Sequence, residues 1–282
     1  MATLHFLRST TDTINTSFIL ESNGTLLVVD GGYVTETPYV YEYLKKLGGH
    51  VTAWFLTHFH DDHYGCLFTM LNEHPDIRVD KLFYTFPSDG FLTGSEAKQT
   101  ALLTETWLRI VRDTVDHFRI PVVEPVVGDV FEFDGGKAVV RILRTYDESL
   151  PTINNSTTVL RFEADGKSIL FLGDLGYEGG QQLLETVDHS LIKADYCQMA
   201  HHGQGGVRRE VYEEIAPTAC FWCAPDWLYH EPEIPTYLEN RAKLRATRRA
   251  RMYGVGMTRK WMSLLGAKTH YVTANGTQTI LL

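Results

Sequence analysis

The sequence predicts an α/β protein built as a four-layer αβ/βα sandwich. Strand and helix patterns occur in two successive batches, the order expected when two sheets each carry helices on one face. A histidine-rich loop directly follows a buried apolar strand, so polar groups are expected where a sheet strand ends. The 282 residues are 44% apolar and 22% charged, a globular composition, and we expect one domain over residues 1–282.

The first batch begins with a meander of short strands. Asn23-Gly24 favours a hairpin turn, and Gly48-Gly49 ends a helix. The predicted strands are His5 to Arg8, Ser17 to Glu21, Thr25 to Asp30, Val51 to Leu56 and Lys81 to Tyr84. The predicted helices are Val40 to Leu47, Tyr64 to Leu71 and the amphipathic Ser95 to Phe118. The last helix either covers a substrate or packs on the core, and both remain open.

The second batch consists mainly of strands separated by glycine turns. Asp134-Gly135-Gly136 and Asp165-Gly166 are the turn signals. The predicted strands are Val130 to Phe133, Ala138 to Leu143, Thr157 to Phe162, Ser168 to Leu172 and Ala194 to Met199, with a helix from Tyr177 to Val187. The chain is expected to close with a hairpin around Asn275-Gly276, between Lys268 to Val272 and Thr277 to Leu281.

The loop after the strand Val51 to Leu56 carries the order His-x-His-x-Asp-His. Imidazole and carboxylate groups bind Zn²⁺ and similar ions at about 2.0–2.2 Å. On an extended segment His58 and His60 point to the same side, while a following helix turns Asp62 and His63 toward a second site. Two ions about 3.5–4 Å apart can form a hydroxide from water and clamp an oxyanion. A polar surface loop is the alternative, and three histidines within six residues argue against it.

This loop resembles the metal-binding signature of the metallo-β-lactamase superfamily, and three further segments resemble other motifs of that family in order. Leu26 to Gly32 resembles the strand and turn whose aspartate, here Asp30, holds the metal loop in position without binding metal itself. Ile169 to Asp174 resembles the strand that ends in the metal-bridging carboxylate, and Ala194 to Gly203 resembles the strand that delivers the last histidine. The resemblance implies a sandwich of the metallo-β-lactamase type with two divalent ions, Zn or Mn, with Fe also possible.

The family resemblance also implies a ligand set. The first ion would be held by His58 and His60, the second by Asp62, His63 and one of the pair His201 and His202, with Asp174 bridging. Alternate residues of a strand face opposite ways, so one histidine of the pair is expected to bind metal and the other to contact substrate or pack. The His-Gly ending of the family favours His202 as the ligand.

The segment Asn154-Asn155-Ser156 departs from the wider family, which has a third histidine for the first ion there. With the Gly-Asp and His-His-Gly segments, it is similar to the soluble domain of ComEC-type DNA-uptake proteins and to related phosphorylcholine esterases. The similarity implies that these three side chains donate hydrogen bonds to a phosphate oxygen. It also implies that Asn154 holds the metal ligands in position without binding metal itself. The missing histidine is expected to leave an open coordination position and weaker binding of the first ion.

Asp62, Asn155 and His230 form the predicted catalytic set. His230 would donate a proton near the leaving group. A histidine on a surface loop is the alternative for that position. The expected function is a binuclear metal-dependent hydrolase of phosphodiester bonds in small molecules or nucleic acids.

Three other functions are considered for the same fold. A hydrolase of carboxylic esters, lactones or amides would use the same metals, and a non-catalytic binding module would have a depleted metal site. A redox di-iron protein of this family normally carries a glutamate at the position of His60 and a flavin domain, and neither is seen.

The net charge of −9 argues against wholesale attraction to nucleic acid. A basic run between Glu239 and Lys260 nevertheless predicts a possible weak contact with nucleic acid, and a solvated helix face is the alternative. The candidate residues are Arg241, Lys243, Arg245, Arg248, Arg249 and Arg251.

Four cysteines are too few for a disulfide framework in a chain of this length. Cys220 and Cys223 have the spacing of a redox or zinc motif, but their apolar surroundings favour buried, inert thiols. No apolar run approaches the roughly 18 residues of a membrane span, and the first residues lack a secretory signal pattern. A cytoplasmic location is therefore expected.

Overall fold

A computed structural model of the chain describes residues 1–88, 90–91, 98–150, 152–231 and 254–282, with only the backbone described for residues 98–103. The strands are β1 (Ala2–Phe6), β2 (Ser17–Ser22), β3 (Thr25–Asp30), β4 (His50–Val51), β5 (Ala53–Phe55), β6 (Arg78–Val79), β7 (Leu82–Phe83), β8 (Val122–Val123), β9 (Val130–Phe133), β10 (Ala138–Arg144), β11 (Val159–Ala164), β12 (Lys167–Phe171), β13 (Tyr196–Gln198), β14 (Ala219–Trp222), β15 (Thr269–Val272) and β16 (Gln278–Leu281). The helices are α1 (Thr37–Lys46), α2 (Asp61–Glu73), α3 (Lys98–His117), α4 (Tyr177–Thr186), α5 (His189–Ile192), α6 (Arg209–Ile215), α7 (Asp226–Tyr229) and α8 (Val255–Leu264).

Most of the described strands belong to two seven-stranded mixed sheets. The first has the order β16-β1-β2-β3-β5-β7-β8 and the second the order β15-β14-β13-β12-β11-β10-β9. In the first sheet β3, β5, β7 and β8 are parallel, and in the second β12, β13, β14 and β15 are parallel. Because the carboxyl ends of parallel strands meet at one edge, each sheet collects its loops there.

Three apolar clusters give the predicted four layers, and the sandwich is confirmed. One cluster joins the first sheet to α1, α2 and α3, and a second joins the second sheet to α4, α6 and α8. The third cluster lies between the sheets and contains aromatic and aliphatic side chains of both, including Phe6, Phe18, Val29, Phe55, Leu160, Phe162, Phe171 and Phe221. Central strands such as β3, β5 and β14 therefore bury both faces, whereas the edge strands β9 and β16 keep exposed side chains.

Two predicted strands differ most from the structure, and several others shift by one or two residues at their ends. The first begins at Ala2 rather than His5, because its residues pair with β16 as well as with β2. The segment predicted as one strand from Val51 to Leu56 is divided at Thr52. Val51 pairs with Val79 in a small two-stranded sheet, whereas Ala53–Phe55 lies in the main sheet.

The predicted C-terminal hairpin is wrong. β15 pairs in parallel with β14 in the second sheet, and β16 pairs antiparallel with β1 in the first. The turn Thr273–Asn275 therefore carries the chain from one sheet to the other. The partners of both strands are distant in sequence, so the local turn signal could not reveal the pairing.

The six basic residues proposed for nucleic-acid contact, at positions 241–251, lie outside the described residues. Arg259 belongs to the same basic run and is described. Its guanidinium donates to the Glu231 carbonyl oxygen at 2.8 Å and lies over the Tyr229 ring. No helix within the described ranges combines the length and apolarity needed to cross a bilayer.

Candidate metal centre

The metal loop changes from extended to helical at its centre. His60 is the residue before α2 and has an extended backbone, with φ −113° and ψ 149°. Asp62 and His63 lie in the first turn of α2. His58 and His60 lie on the extended segment before the helix, whereas Asp62 and His63 lie on the helix itself. The side chains of the two pairs therefore face two neighbouring positions.

Asp30 fixes this loop from the end of β3. Its carboxylate accepts hydrogen bonds from the Thr57 amide at 2.8 Å and from the Thr57 hydroxyl at 2.9 and 3.1 Å, and it lies 2.8 Å from His63 Nδ1. Asp30 is fully buried and its φ is +62°, a conformation that is uncommon for a residue other than glycine. Since Nδ1 of His63 donates to this carboxylate, Nε2 is left to face the cluster.

Thr57 is the supporting residue that the sequence analysis missed. Its carbonyl oxygen also accepts from the Thr158 amide at 2.8 Å, which ties the loop of the first sheet to the second sheet. A Cβ added at Gly173 would lie 2.8 Å from the Thr57 hydroxyl oxygen, so only glycine allows this approach. The position of Thr57 directly before His58, at the start of the metal-binding motif, was the sequence feature that could have identified it.

Four buried side chains from both sheets converge on one position. Asp62 Oδ2 lies 3.5 Å from His63 Nε2 and 2.9 Å from His202 Nε2. Asp174 Oδ1 lies 3.2 Å from His63 Nε2, and its Oδ2 lies 3.3 Å from His202 Nε2. Ligands bound tetrahedrally at about 2.1 Å are about 3.4 Å apart, so these separations fit one shared ion.

A second set of three side chains shares the same aspartate. His58 Nε2 lies 3.8 Å from Asp174 Oδ2 and 3.1 Å from His60 Nδ1. These three residues can also hold one ion. Asp174 is therefore common to both sets and lies between them.

The buried polar atoms of the first set support a cation at its centre. Within the described part of the chain, Asp62 Oδ2, His63 Nε2, Asp174 Oδ1 and His202 Nε2 are buried and form no hydrogen bond of acceptable geometry. Buried groups of this kind are normally bonded or coordinate a metal. The residues present thus fit a divalent ion bound by nitrogen and oxygen.

Charge distribution in the cluster follows from burial and from close opposite charges. Burial opposes protonation of His63, but Asp62, Asp30 and Asp174 outweigh it and hold the pKa of His63 well above its ordinary value. Burial likewise lowers the pKa of His202, while Asp174 and Asp62 raise it to about 10. Since a ligand histidine must be neutral, binding at this set displaces protons.

His201 and His202 lie in a turn, so the alternation of strand residues that was used to separate their roles does not apply. β13 ends at Gln198, and both histidines lie in the turn Ala200–Gly203 with left-handed φ values of +52° and +58°. His202 Nδ1 donates to the Cys223 carbonyl at 3.1 Å, which directs Nε2 into the cluster. His201 is outside both ligand sets, with Nε2 3.9 Å from Asp174 Oδ2 and a side chain 22% exposed.

The segment Asn154–Ser156 forms a short turn in which one side chain faces the cluster. Asn154 Nδ2 lies 3.4 Å from His201 Nε2, and its Oδ1 is buried with no partner among the described residues. The Asn155 amide instead bonds to the first turn of α4, donating to Glu178 at 3.0 Å and accepting from Gly179 at 2.9 Å. Ser156 donates to the Asp147 carbonyl. Asn155 and Ser156 therefore hold the turn, and their contact with a phosphate oxygen stays a prediction.

His230 and the cysteines complete the predicted residues. The His230 side chain is 63% exposed and pairs with Asp226 at 3.4 Å, so its proposed proton transfer stays a prediction without a contact to the cluster.

All four cysteines are buried and outside disulfides. Burial raises the pKa of Cys220 to about 12 and that of Cys223 well above its ordinary value, as expected for inert thiols.

Comparison with known proteins adds a family match to this geometry. A sequence model of the Metallo-beta-lactamase superfamily matches residues 10–211. ComE operon protein 3 of Bacillus subtilis (strain 168) is 36% identical over 81 residues, which are 28% of this chain and 10% of that protein. The chain thus aligns with about a tenth of the length of this curated relative.

Two solved structures show the same fold at low identity. The metallo-beta-lactamase fold protein YhfI from Bacillus subtilis has a TM-score of 0.55 at 11% identity, over 99% of this chain and 100% of YhfI. CmlA, a diiron beta-hydroxylase from Streptomyces venezuelae, has a TM-score of 0.54 at 13% identity, over 100% of this chain and 54% of CmlA. These likenesses concern the fold alone, which hosts more than one chemistry.

Asp30→Asn is expected to weaken zinc binding about 10- to 100-fold, because the amide cannot accept from both Thr57 and His63. Competition with a zinc chelator measures the change. Asp195→Asn is a matched control, since Asp195 bonds to Ser168 at the opposite end of β12. Wild-type zinc affinity in Asp30→Asn would contradict the supporting role of Asp30.

His202→Ala is expected to lose one ion per chain, and His201→Ala is expected to retain both. The reason is that only His202 Nε2 lies among the converging ligand atoms. Elemental analysis of each purified variant gives the ratio of metal to protein, with circular dichroism as the check on folding. A full complement of metal in His202→Ala would show that the turn delivers its ligand differently.

Proposed function

The chain belongs to the metallo-β-lactamase superfamily, as its motifs predicted, and from this premise we propose that it is a binuclear metal-dependent hydrolase of phosphodiester bonds. The observation that carries the proposal is the position of Asp174 in both ligand sets. A carboxylate shared in this way suits two ions at the short separation used in two-metal hydrolysis.

The proposed ligands divide between the two sheets. His58 and His60 would hold the first ion, and Asp62, His63 and His202 the second, with Asp174 common to both. When bound, two divalent ions, Zn or Mn with Fe also possible, supply a nucleophile from water at neutral pH and stabilise negative charge on phosphorus oxygens. Asp30 and the Cys223 carbonyl orient the two histidines of the second set, so their Nε2 atoms need no rearrangement.

The first ion would have fewer protein ligands than the second. Asn154 stands where the wider family has a histidine, and no other described histidine, cysteine or carboxylate joins His58, His60 and Asp174 within ligand range of one another. A site with three protein ligands keeps a position for water or substrate. His201 and Asn154 border this position, with a separation of 3.4 Å, and can donate hydrogen bonds to a substrate oxygen there.

The preference for phosphodiesters rests on two supports. The motifs resemble the ComEC type, and an 81-residue segment is 36% identical to ComE operon protein 3. A phosphodiester substrate is anionic and matches a site that concentrates cations. Candidate substrates are small molecules and nucleic acids, and we propose that the basic residues at positions 241–251 contact the latter weakly.

A hydrolase of carboxylic esters, lactones or amides is the second candidate. In the described part of the chain, Asp62 and Asp174 pair with histidines, so the cluster itself contains no lysine or arginine that would favour an anionic substrate. The same ligands would act on a trigonal carbon. This candidate differs from the first only in the group that is attacked.

We expect the purified protein loaded with Mn²⁺ or Zn²⁺ to hydrolyse bis(4-nitrophenyl) phosphate, and Asp174→Asn to abolish this turnover. The reason is that the amide cannot serve as an anionic ligand to both ions. Release of 4-nitrophenol measures the rate, and Asp195→Asn, at the other end of the second sheet, should retain it.

Three outcomes would contradict the proposal. Turnover unchanged in Asp174→Asn would exclude the shared cluster as the site. Two bound ions with hydrolysis of 4-nitrophenyl acetate but not of the phosphodiester would favour the second candidate. A purified protein that binds no metal would favour a non-catalytic binding module.

A further inference from the structure

Arg144 is a buried arginine at the end of the second sheet where the metal centre lies. It ends β10 and pairs with Val159, which follows Thr158, whose amide donates to the Thr57 carbonyl of the metal loop. The residue is only 4% exposed. Burial disfavours the charged guanidinium and lowers the pKa of Arg144 to about 10, although the charge of Asp147 opposes the shift. Arginine is rarely buried to this extent unless its contacts offset the cost, so these contacts indicate what Arg144 does.

Two nitrogens of the guanidinium bond to two different segments. Nη1 donates to the Thr157 carbonyl oxygen at 2.7 Å, directly after the turn Asn154–Ser156, and Nε donates to Gln182 Oε1 at 2.9 Å, in α4. The Gln182 amide in turn donates to Asp147 Oδ2 at 2.9 Å. Nη2 is buried and forms no hydrogen bond with the described residues. Arg144 therefore links the turn to α4 and, through Gln182, to the loop after β10.

The turn itself is held by the same two segments. The side chain of Asn155 bonds to the first turn of α4, and that of Ser156 bonds to the loop after β10. The Thr157 amide donates to the Asn154 carbonyl at 3.3 Å and closes the turn. The Asn154 side chain has a different environment, since Nδ2 lies 3.4 Å from His201 Nε2 and Oδ1 is buried with no partner among the described residues. These contacts fix the backbone of the turn and leave the Asn154 amide directed toward the cluster.

We propose that Arg144 is a positioning residue for hydrolysis, which holds the turn so that the Asn154 amide donates to a phosphoryl oxygen of the substrate. The inference rests on the proposed function, in which His201 and Asn154 border the open position of the first ion. His201 Nε2 also lies 3.9 Å from Asp174 Oδ2, so both side chains lie beside the shared carboxylate. A donor held in advance needs no reorientation during the reaction, and a misplacement of about 1 Å can cost about 100-fold in rate. Arg144 acts through Asn154 and touches neither the substrate nor an ion.

A double-mutant cycle tests whether Arg144 acts through Asn154. Arg144→Met and Asn154→Ala are each expected to lower kcat/KM for bis(4-nitrophenyl) phosphate about 10-fold, as for the loss of one hydrogen bond to a charged group. The double variant should be no slower than Asn154→Ala alone, because without the amide the position of the turn no longer affects the substrate. All three variants should retain the wild-type number of ions per chain, since neither residue belongs to a ligand set.

Arg161→Met is the matched control for the loss of a buried arginine. Arg161 lies on the neighbouring strand β11, and its guanidinium donates to the carbonyl oxygens of Leu191 and Lys193. These carbonyls precede β13, at the end of the sheet away from the metal centre. The variant should unfold at a lower temperature than the wild type and keep the wild-type kcat/KM.

Arg144→Lys covers the case in which Arg144→Met does not fold. Lysine keeps the charge and can donate to the Thr157 carbonyl, but it lacks the planar fork that also reaches Gln182. It is expected to lower kcat/KM less than Arg144→Met does. In the cycle with Asn154→Ala, this smaller loss should again be absent from the double variant.

The inference can fail while the proposed hydrolase stands. Wild-type turnover in Arg144→Met, an equal loss in the Asn154→Ala background, or loss of metal from Arg144→Met would each overturn it. If the wild type does not hydrolyse the phosphodiester, the proposed function fails, and inorganic phosphate titrated calorimetrically into the metal-loaded proteins decides on Arg144. Weaker binding in Arg144→Met that is absent in the Asn154→Ala background supports the inference. Equal binding, additive losses, or no binding of phosphate by the wild type overturns it.

Discussion

Convergence of buried charge between two sheets is the constraint on which the rest of this structure depends. Asp174 comes from the second sheet, whereas His58, His60, Asp62 and His63 follow β5 of the first. Burial raises the pKa of the Asp174 carboxyl, but His202 and His63 outweigh it and hold the pKa well below its ordinary value. A buried carboxylate is stable only when cations or donors surround it, so the site is complete only when the sheets are correctly apposed.

Aromatic packing between the sheets sets that apposition. Phe18 of the first sheet stacks on Phe6 and meets Phe171 edge-on at 5.0 Å, three residues before Asp174. Closer to the site, Gly173 touches Thr57, and the Thr57 carbonyl accepts from Thr158 across the two sheets. The geometry of the metal centre is therefore a property of the core and of a few backbone contacts, not of the ligand loop alone.

The spacing of its histidines predicted the metal loop, whereas the roles of Asp30 and Asp174 were predicted from the resemblance of their segments to family motifs. Thr57 was missed, since its importance arises from residues that the fold brings beside it. The left-handed turn at His201 and His202 was not predicted, because sequence alternation does not reveal backbone held by distant contacts such as that of His202 with the Cys223 carbonyl. The prediction of a C-terminal hairpin was wrong for the same reason, since β15 and β16 pair with strands of different sheets.

The central claim is that Asp174 is shared by two ions. The most direct measurement loads the wild-type protein with Mn²⁺, counts the ions per chain by elemental analysis, and records the electron paramagnetic resonance spectrum. Two ions per chain with an exchange-coupled spectrum are predicted, as expected for ions about 3.5–4 Å apart on a common carboxylate. One ion per chain, or two ions with the spectrum of isolated Mn²⁺, would contradict the account.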